Sequence, residues 1–482
     1  MIIPGRAIAS LIVLVSTRLV CAQAIDTVLL TEVGRYQHPY LLGTYSSSTF
    51  SCRIDRLDRP YIHMACWNLG LVELDISDPS QPIPVDTLTL GELDGLNAMN
   101  VEQVGPLLYV ALGGFDDSTQ TTGLAIVDVN DPTAPVVLDV WNGDPAYTAG
   151  GAIVLIDGGI AYLGGMTDGV IALNVGDPGN IQEIGSFQPD PTWPGIVNYP
   201  PNARGMAIDG DVLYLCYDAG ALRAIDISTP ASMSQIGQYI NPDHPPLFTP
   251  NAYNNITLVG TKAYITYDYC GLEVVDVSDP ANITQVAWLN PWNCFGLSWL
   301  GSDGHTNELI TALGDSLLFV SGADSELLIY DITDPMLPAL VGGHIVPNDT
   351  AVAWGVDAHG GLVVSCYLNN SVLLGQPYYS NFGGVVIYAW SPQFPTGIEA
   401  PVGTILTVIA DPSGDGLVID RPTNDGPAEV RVLDMNGRSV HQSILRDART
   451  RIDLAGTASG MYVVTVRVGD RALVVGKVLR LP

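Results

Sequence analysis

The sequence predicts an all-β chain: a seven-bladed β-propeller followed by a small immunoglobulin-like β-sandwich. A segment of the form Gly-Leu-x-Val-x-Asp-Val-Ser-Asp-Pro returns seven times, and no sustained helical period appears after the first 22 residues. Those two observations carry the propeller. A change in charge balance and turn chemistry after Phe394 carries the second domain.

The copies read GLVELDISDP from Gly70, GLAIVDVNDP from Gly123, GVIALNVGDP from Gly169, ALRAIDISTP from Ala221, GLEVVDVSDP from Gly271, ELLIYDITDP from Glu326 and GVVIYAWSPQ from Gly384. Their central positions, Asp75, Asp128, Asn174, Asp226, Asp276, Asp331 and Ala389, are spaced by 46 to 58 residues. Periods of this size mark stacked or radially arranged units. Tyr162, Tyr214, Tyr264 and Phe319 each precede the central position by 12 residues, which predicts a hairpin of fixed register. With the strand that follows each Pro-containing turn, every unit reads as four short strands, the content of a propeller blade. The final copy lacks an outer strand of its own. TEVGRYQ at Thr31 to Gln37 matches QEIGSFQ at Gln182 to Gln188 and SQIGQYI at Ser234 to Ile240, so Val28 to Tyr36 is expected to complete the last blade and shut the ring.

This motif resembles the LVIVD repeat of bacterial surface and secreted proteins over roughly Ala24 to Pro392. The resemblance implies a propeller and is nearly silent on chemistry, because function resides in sites and not in folds.

Met1 to Ala22 read as a secretory signal, with Arg6 in a basic start, an apolar run from Ala7 to Val15 and Val20-Cys21-Ala22 as the cleavage site. That run is too short to span a bilayer, so no transmembrane span is expected after cleavage. Lipidation at Cys21 is the alternative, and Arg18 and Val20 suit it poorly. The expected organisation is signal 1–22, propeller 23–394, linker 395–400 and C-terminal domain 401–482. Six cysteines remain after the signal. Cys52 and Cys66 flank a hairpin turn and are expected to bond across it, with Cys270 and Cys294 as a second pair; Cys216 and Cys366 read as buried thiols.

The net charge is −31, yet the C-terminal region is neutral, leaving the propeller with seven basic residues against forty acidic ones. Such a surface repels nucleic acid and anionic membranes. Solubility in a salty exterior explains it without function; cation binding is the functional alternative.

After Phe394 come short alternating strands, LTVIA, GLVID, AEVRVLD, RIDLA, MYVVTVRV and ALVVGKVLRL, separated by Asp-Pro, Asn-Asp-Gly, Asn-Gly and Gly-Asp turns. They suggest a small β-sandwich. The segment resembles the C-terminal sorting domain of the type IX secretion system of Bacteroidetes-like bacteria in Asp411-Pro412, VLDMNGRSV from Val432 to Val440, IDLA from Ile452, Gly460-Met461-Tyr462-Val463 and Lys477-Val478-Leu479. The opening turn departs from the family, with Ala410 preceding Asp411-Pro412 where Pro-Asn-Pro is usual. The resemblance implies the type IX machinery as a partner and a secreted or outer-surface destination. A generic immunoglobulin-like module for adhesion or spacing is the alternative.

No serine elbow, His-Glu-x-x-His, phosphate-binding loop or Cys-x-x-Cys occurs, so no catalytic residue is assigned. His305 with Asp303 and Glu308, the run Asp116-Asp117-Ser118, and the turn from Asp411 to Asp415 offer oxygen or nitrogen ligands. Calcium is the conceivable ion, but six or more ligands cannot be placed from sequence, and no cofactor follows.

Geometry gives the stronger lead. The short Ser-Asp-Pro turns share one face of the ring, and the long connections between blades share the other. On that loop-rich face the expected ligand-binding residues are Trp193, Tyr199, Asn202, His244, Tyr253, Asn254, Trp292, Trp299, His305 and Trp354. Aromatic faces beside amides and imidazoles suit sugars or extended peptides, although each aromatic is also a candidate for packing between blades. Three functions follow: a glycan- or protein-binding protein, a polysaccharide hydrolase or lyase, and a structural or adhesion component. Carboxylates converging with a histidine near the axis would favour the enzyme; an aromatic floor, binding; a plugged mouth, structure.

Overall fold

The computed structural model describes residues 25, 27–39, 46–114, 120–195, 200–244, 252–290, 294, 305–322, 326–345, 351–369, 380–393, 407–410, 416–420, 428–433, 439–447, 449–454, 456–457, 460–468 and 471–480. Strands between Thr27 and Gln393 form seven antiparallel four-stranded sheets. The innermost strands of blades 1 to 7 are Ser51–Ile54, Ala98–Val104, Ile153–Asp157, Gly205–Asp209, Tyr253–Val259, Thr306–Ala312 and Val352–His359. Each packs against the next, and the first packs against the last, so the ring is closed.

Closure is built as the repeat pattern predicts. Thr27–Gln37 is the outer strand of blade 7, with Leu30 opposite Trp390 and Tyr36 opposite Val385. The start of this strand is also tied to blade 6. The Ile25 N–H donates to Asp331 at 2.6 Å and the Thr27 hydroxyl to the Val341 carbonyl at 3.1 Å.

The constant aromatic offset reflects one register. Tyr162, Tyr214, Tyr264 and Phe319 face Ala172, Ala224, Val274 and Ile329, in every case two residues before the central motif position. All four rings are buried between blades. The hydroxyls of Tyr214 and Tyr264 donate to the Val277 and Ile332 carbonyls of the following blade, at 3.1 and 3.4 Å. In blade 1 the same place holds His63, whose Nδ1 lies 2.5 Å from Glu73.

The shared outer-strand glycine has a steric cause. Gly34, Gly185 and Gly237 sit at register shifts, where the proline-containing turn of the next blade presses in. A Cβ there would lie 1.6, 2.7 and 1.9 Å from the carbonyl oxygens of Pro79, Pro230 and Pro280. The motif aspartates tighten those turns: Asp75, Asp226 and Asp276 accept the N–H two residues on, from Ser77, Ser228 and Ser278.

One expected disulfide is overturned. Cys52 pairs with Met64 across the hairpin, so Cys66 lies two residues beyond it, and both thiols are free and buried. The Cys66 thiol donates instead to the Met64 carbonyl at 3.5 Å. Cys270 and Cys294 are bonded as expected, and Cys216 and Cys366 are buried thiols.

The C-terminal strands form two antiparallel sheets. One holds Thr407–Ala410, Gly416–Asp420 and Arg449–Asp453; the other holds Ala428–Leu433, Ser439–Leu445, Gly460–Val468 and Arg471–Arg480. Leu417, Ile419 and Ile452 of the first share a buried cluster with Val430, Val432, Leu445 and Val464 of the second. The expected signal and linker lie outside the described residues, as do Asp116 to Ser118, Asp303 and the turn from Asp411 to Asp415.

Candidate functional site

The loop-rich mouth is assembled from two repeated elements. The first is the start of each innermost strand. Phe50, Met99, Ala152, Arg204, Asn254, Asn307 and Trp354, one from each blade, line a single cavity on the axis, together with Asn255 and Glu308. The second is the turn that precedes each motif. Trp67, Met166, Asp218 and Asp268, each three residues before the motif start, adopt a left-handed backbone with φ of 48, 53, 44 and 37°. Trp67, Met166 and Asp218 form bridges to Ala98, Ala203 and Tyr253 at the next blade, so these turns lean over the lip of the ring.

In blades 4 and 5 the leaning residue is an aspartate, and this makes the lip polar. His305 Nε2 lies 2.6 Å from Asp268, and the imidazole stacks on Trp354 with centroids 5.8 Å apart. Arg204 stands over the same indole at 5.3 Å and donates to the Asn307 side-chain oxygen at 2.9 Å, while the Asn307 amide donates to the Trp354 carbonyl at 2.7 Å. Asn202 donates to Asp218 at 3.2 Å. Burial raises the Asp218 pKa against the opposing pull of Arg204 and that amide.

Glu308 sits deeper. It accepts from the Val356 N–H at 3.2 Å and the Asn100 amide at 3.5 Å, and burial pushes its pKa up to about 7 despite Arg53. The other wall is apolar, with Phe50 stacked on Trp67 at 5.1 Å beside Met99. The cavity between the walls is about 30 Å³, room for one water-sized group. At the opposite end of the axis, a cavity of about 580 Å³ opens among the innermost strands of blades 2 to 5, walled by Val104, Leu155, Ile208 and Leu258 with Glu102 and Asp157.

The structure therefore brings four expected residues, Asn202, Asn254, His305 and Trp354, to the mouth. His244 and Tyr253 belong to a neighbouring cluster in blade 5. There the Tyr267 hydroxyl and His244 Nδ1 share a hydrogen bond of 2.7 Å, and the Tyr239 and Tyr253 hydroxyls donate to the buried Glu273 at 2.6 and 2.5 Å. Burial lifts the Glu273 pKa to about 7 against those donors. Trp193 packs under the Arg223 guanidinium at 4.6 Å, and Arg223 donates to its carbonyl at 3.0 Å. Tyr199, Trp292 and Trp299 lie outside the described residues. Sequence reasoning missed Arg204, Asp218 and Asp268; the fixed offset from the motif start was the available signal.

Of the expected trio of His305, Asp303 and Glu308, Asp303 lies outside the described residues, while His305 is engaged with Asp268 and Glu308 with Asn100 and Val356. Among the described residues, the one group of three His, Cys, Asp or Glu side chains close enough to share an ion is His244 with Cys270 and Cys294. Those two sulfurs are already bonded to each other.

Comparison with known proteins agrees with this architecture. The LVIVD repeat matches residues 60–88, 97–140, 201–241 and 253–288, and the secretion system C-terminal sorting domain matches residues 411–479. No curated protein sequence shows significant similarity to the chain. Solved structures with similar folds include the WD40 repeats of RRP9, at 11% identity and TM-score 0.51 over 77% of this chain and 99% of that one. Chaetomium thermophilum Raptor has 8% identity and TM-score 0.52 over 77% of this chain and 30% of its own. A chain of the mitotic checkpoint complex has 10% identity and TM-score 0.50 over 76% and 100%. At such identities these likenesses speak to fold alone. No helix among the described residues is long and apolar enough to cross a membrane. The sorting domain indicates secretion or display at the outer surface and implies contact with the secretion machinery. The chain carries LVIVD repeats, forms a seven-bladed β-propeller and bears a secretion system C-terminal sorting domain.

Proposed function

We propose that this protein is an exported binding protein that recognises a glycan or protein through the loop-rich face of its propeller, delivered by the type IX system. The observation that carries the reading is the convergence of Asn202, Asn254, His305 and Trp354, with Arg204, Asp218 and Asp268, on one lip beside the aromatic wall of Phe50 and Trp67. Polar donors and acceptors opposite aromatic surface suit an extended ligand. A mouth of about 30 Å³ cannot enclose a sugar ring, so the ligand is met by the lip and the loops around it. The domain division 1–22, 23–394, 395–400 and 401–482 is part of this proposal.

A polysaccharide hydrolase or lyase is the second reading, favoured by Asp218 and Asp268 gathered with His305. A carboxylate–imidazole pair of this kind serves general acid–base chemistry when a substrate reaches it. The test is to probe the secreted full-length protein on glycan and extracellular-protein arrays, alongside Asn202→Ala and His305→Gln variants, and to assay reducing-sugar release from the same polysaccharides. Binding weakened at least tenfold by the variants supports the first reading. Sugar release lost in His305→Gln supports the second, and array signals indifferent to both substitutions contradict a role for this lip.

A further inference from the structure

Four cysteines of the ring are free thiols, and three of them, Cys52, Cys66 and Cys366, share one buried cluster where blade 7 meets blade 1. Cys52 lies on the innermost strand of blade 1, and Cys366 lies on the second strand of blade 7, Leu362–Leu368. These two strands pack together, and the Cys366 thiol lies beside the Cys52 side chain in that cluster. Cys66 is turned elsewhere, toward the Met64 carbonyl at 3.5 Å and the Thr49 hydroxyl at 3.7 Å. Neither Cys52 nor Cys366 has any exposed surface.

The compartment decides what such a contact becomes. The sorting domain takes the chain out of the reducing cytosol, and exported proteins mature where thiols oxidise. We infer that Cys52 and Cys366 are joined as a disulfide in the exported protein, a covalent latch between the first and last blades. The non-covalent closure by Thr27–Gln37 lies in the same blade as Cys366, so the latch and the closing strand secure one seam.

The reaction is thiol–disulfide exchange. One cysteine thiolate attacks a protein disulfide oxidant to give a mixed disulfide. The second thiolate displaces the oxidant, which leaves as a dithiol carrying the two electrons and two protons. Burial raises the Cys366 pKa well above its ordinary value, so exchange precedes the final packing of the seam. The contact joins residues 314 positions apart, so the bond would tie the first blade to the last around the whole ring.

Peptide mapping of the secreted full-length chain, denatured and alkylated without reduction, tests this. The expected result is a Cys52 peptide linked to a Cys366 peptide, with Cys66 and Cys216 alkylated. Alkylated Cys52 and Cys366, or Cys52 linked to Cys66, overturns it. Melting curves give an independent reading. Cys52→Ala, Cys366→Ala and the double variant should lose the same amount of Tm, because each removes the same bond, and reductant should lower the wild-type Tm by more than that of the double variant. Additive losses, or an equal effect of reductant on all, contradicts the latch. If the variants fail to fold, mapping of the wild type still decides.

Discussion

His63 shows how one residue can depart from a repeat and still serve it. It occupies the place held by Tyr or Phe in blades 3 to 6, and the imidazole is buried between Glu73 at 2.5 Å and Asp55 at 3.5 Å. Burial alone would lower its pKa, but the two carboxylates prevail and lift it to about 9. Because the folded value lies above the ordinary 6.5, this contribution to stability is complete below pH 6.5 and is lost as pH rises through 9. Thermal melts should fall across that window, and a His63→Gln variant should lack this part of the slope. Its overall cost should be about 3–5 kcal/mol by chemical denaturation, since Glu73 stays buried without its counter-charge while Asp55 keeps Arg59. The sequence offered no hint of this cluster, because His63, Glu73 and Asp55 fit no spacing that distinguishes them from solvated residues. Asp218 and Asp268 escaped notice for a related reason. Their place before the motif is constant, but Trp67 and Met166 fill it in other blades, so residue type does not recur there.

At the scale of the element, the blade was the most legible feature, because strand register repeats wherever sequence period repeats. The 12-residue aromatic offset became one cross-strand partner in four blades, and the EIG-type match became the outer strand that closes the ring. The glycine within that match predicts a specific sensitivity. Gly237→Ala places a methyl against the Pro280 carbonyl, and should cost about 1–3 kcal/mol as blades 4 and 5 are pried apart. An unchanged denaturation midpoint would contradict the packing described. Deleting Gln23 to Gln37 removes the outer strand of blade 7 and bares the edge of Gly384–Gln393, so Tm should fall by more than the ~5 °C typical of a single core substitution. A truncation that melts like the parent would contradict strand closure. Where register was inferred from proximity alone, the reading failed: Cys52 and Cys66 flank one hairpin, but the strands align Cys52 with Met64, and two residues of offset separate the sulfurs.

For the whole molecule, charge separates two parts that the turn chemistry also separates. In the ring, Arg35, Arg53, Arg56, Arg59 and Lys262 each pair with a carboxylate, while Arg204 and Arg223 are held by amides and carbonyls. The acidic excess therefore dominates the field around the propeller, whereas the C-terminal region carries equal numbers of each sign. The architecture and destination were readable because repeats and terminal strands leave periodic traces; the ligand was not, because it depends on loops whose residues recur in no other blade. The central claim is that an autonomous ring is carried outside by the tail. Fractionation of a type IX-competent host expressing the chain with and without the residues after Ala400 tests it most directly. The account predicts that the truncated propeller folds, melts as one unit and accumulates in the periplasm while the full chain reaches the surface or medium. Truncated protein reaching the surface or medium at the parental level would contradict it.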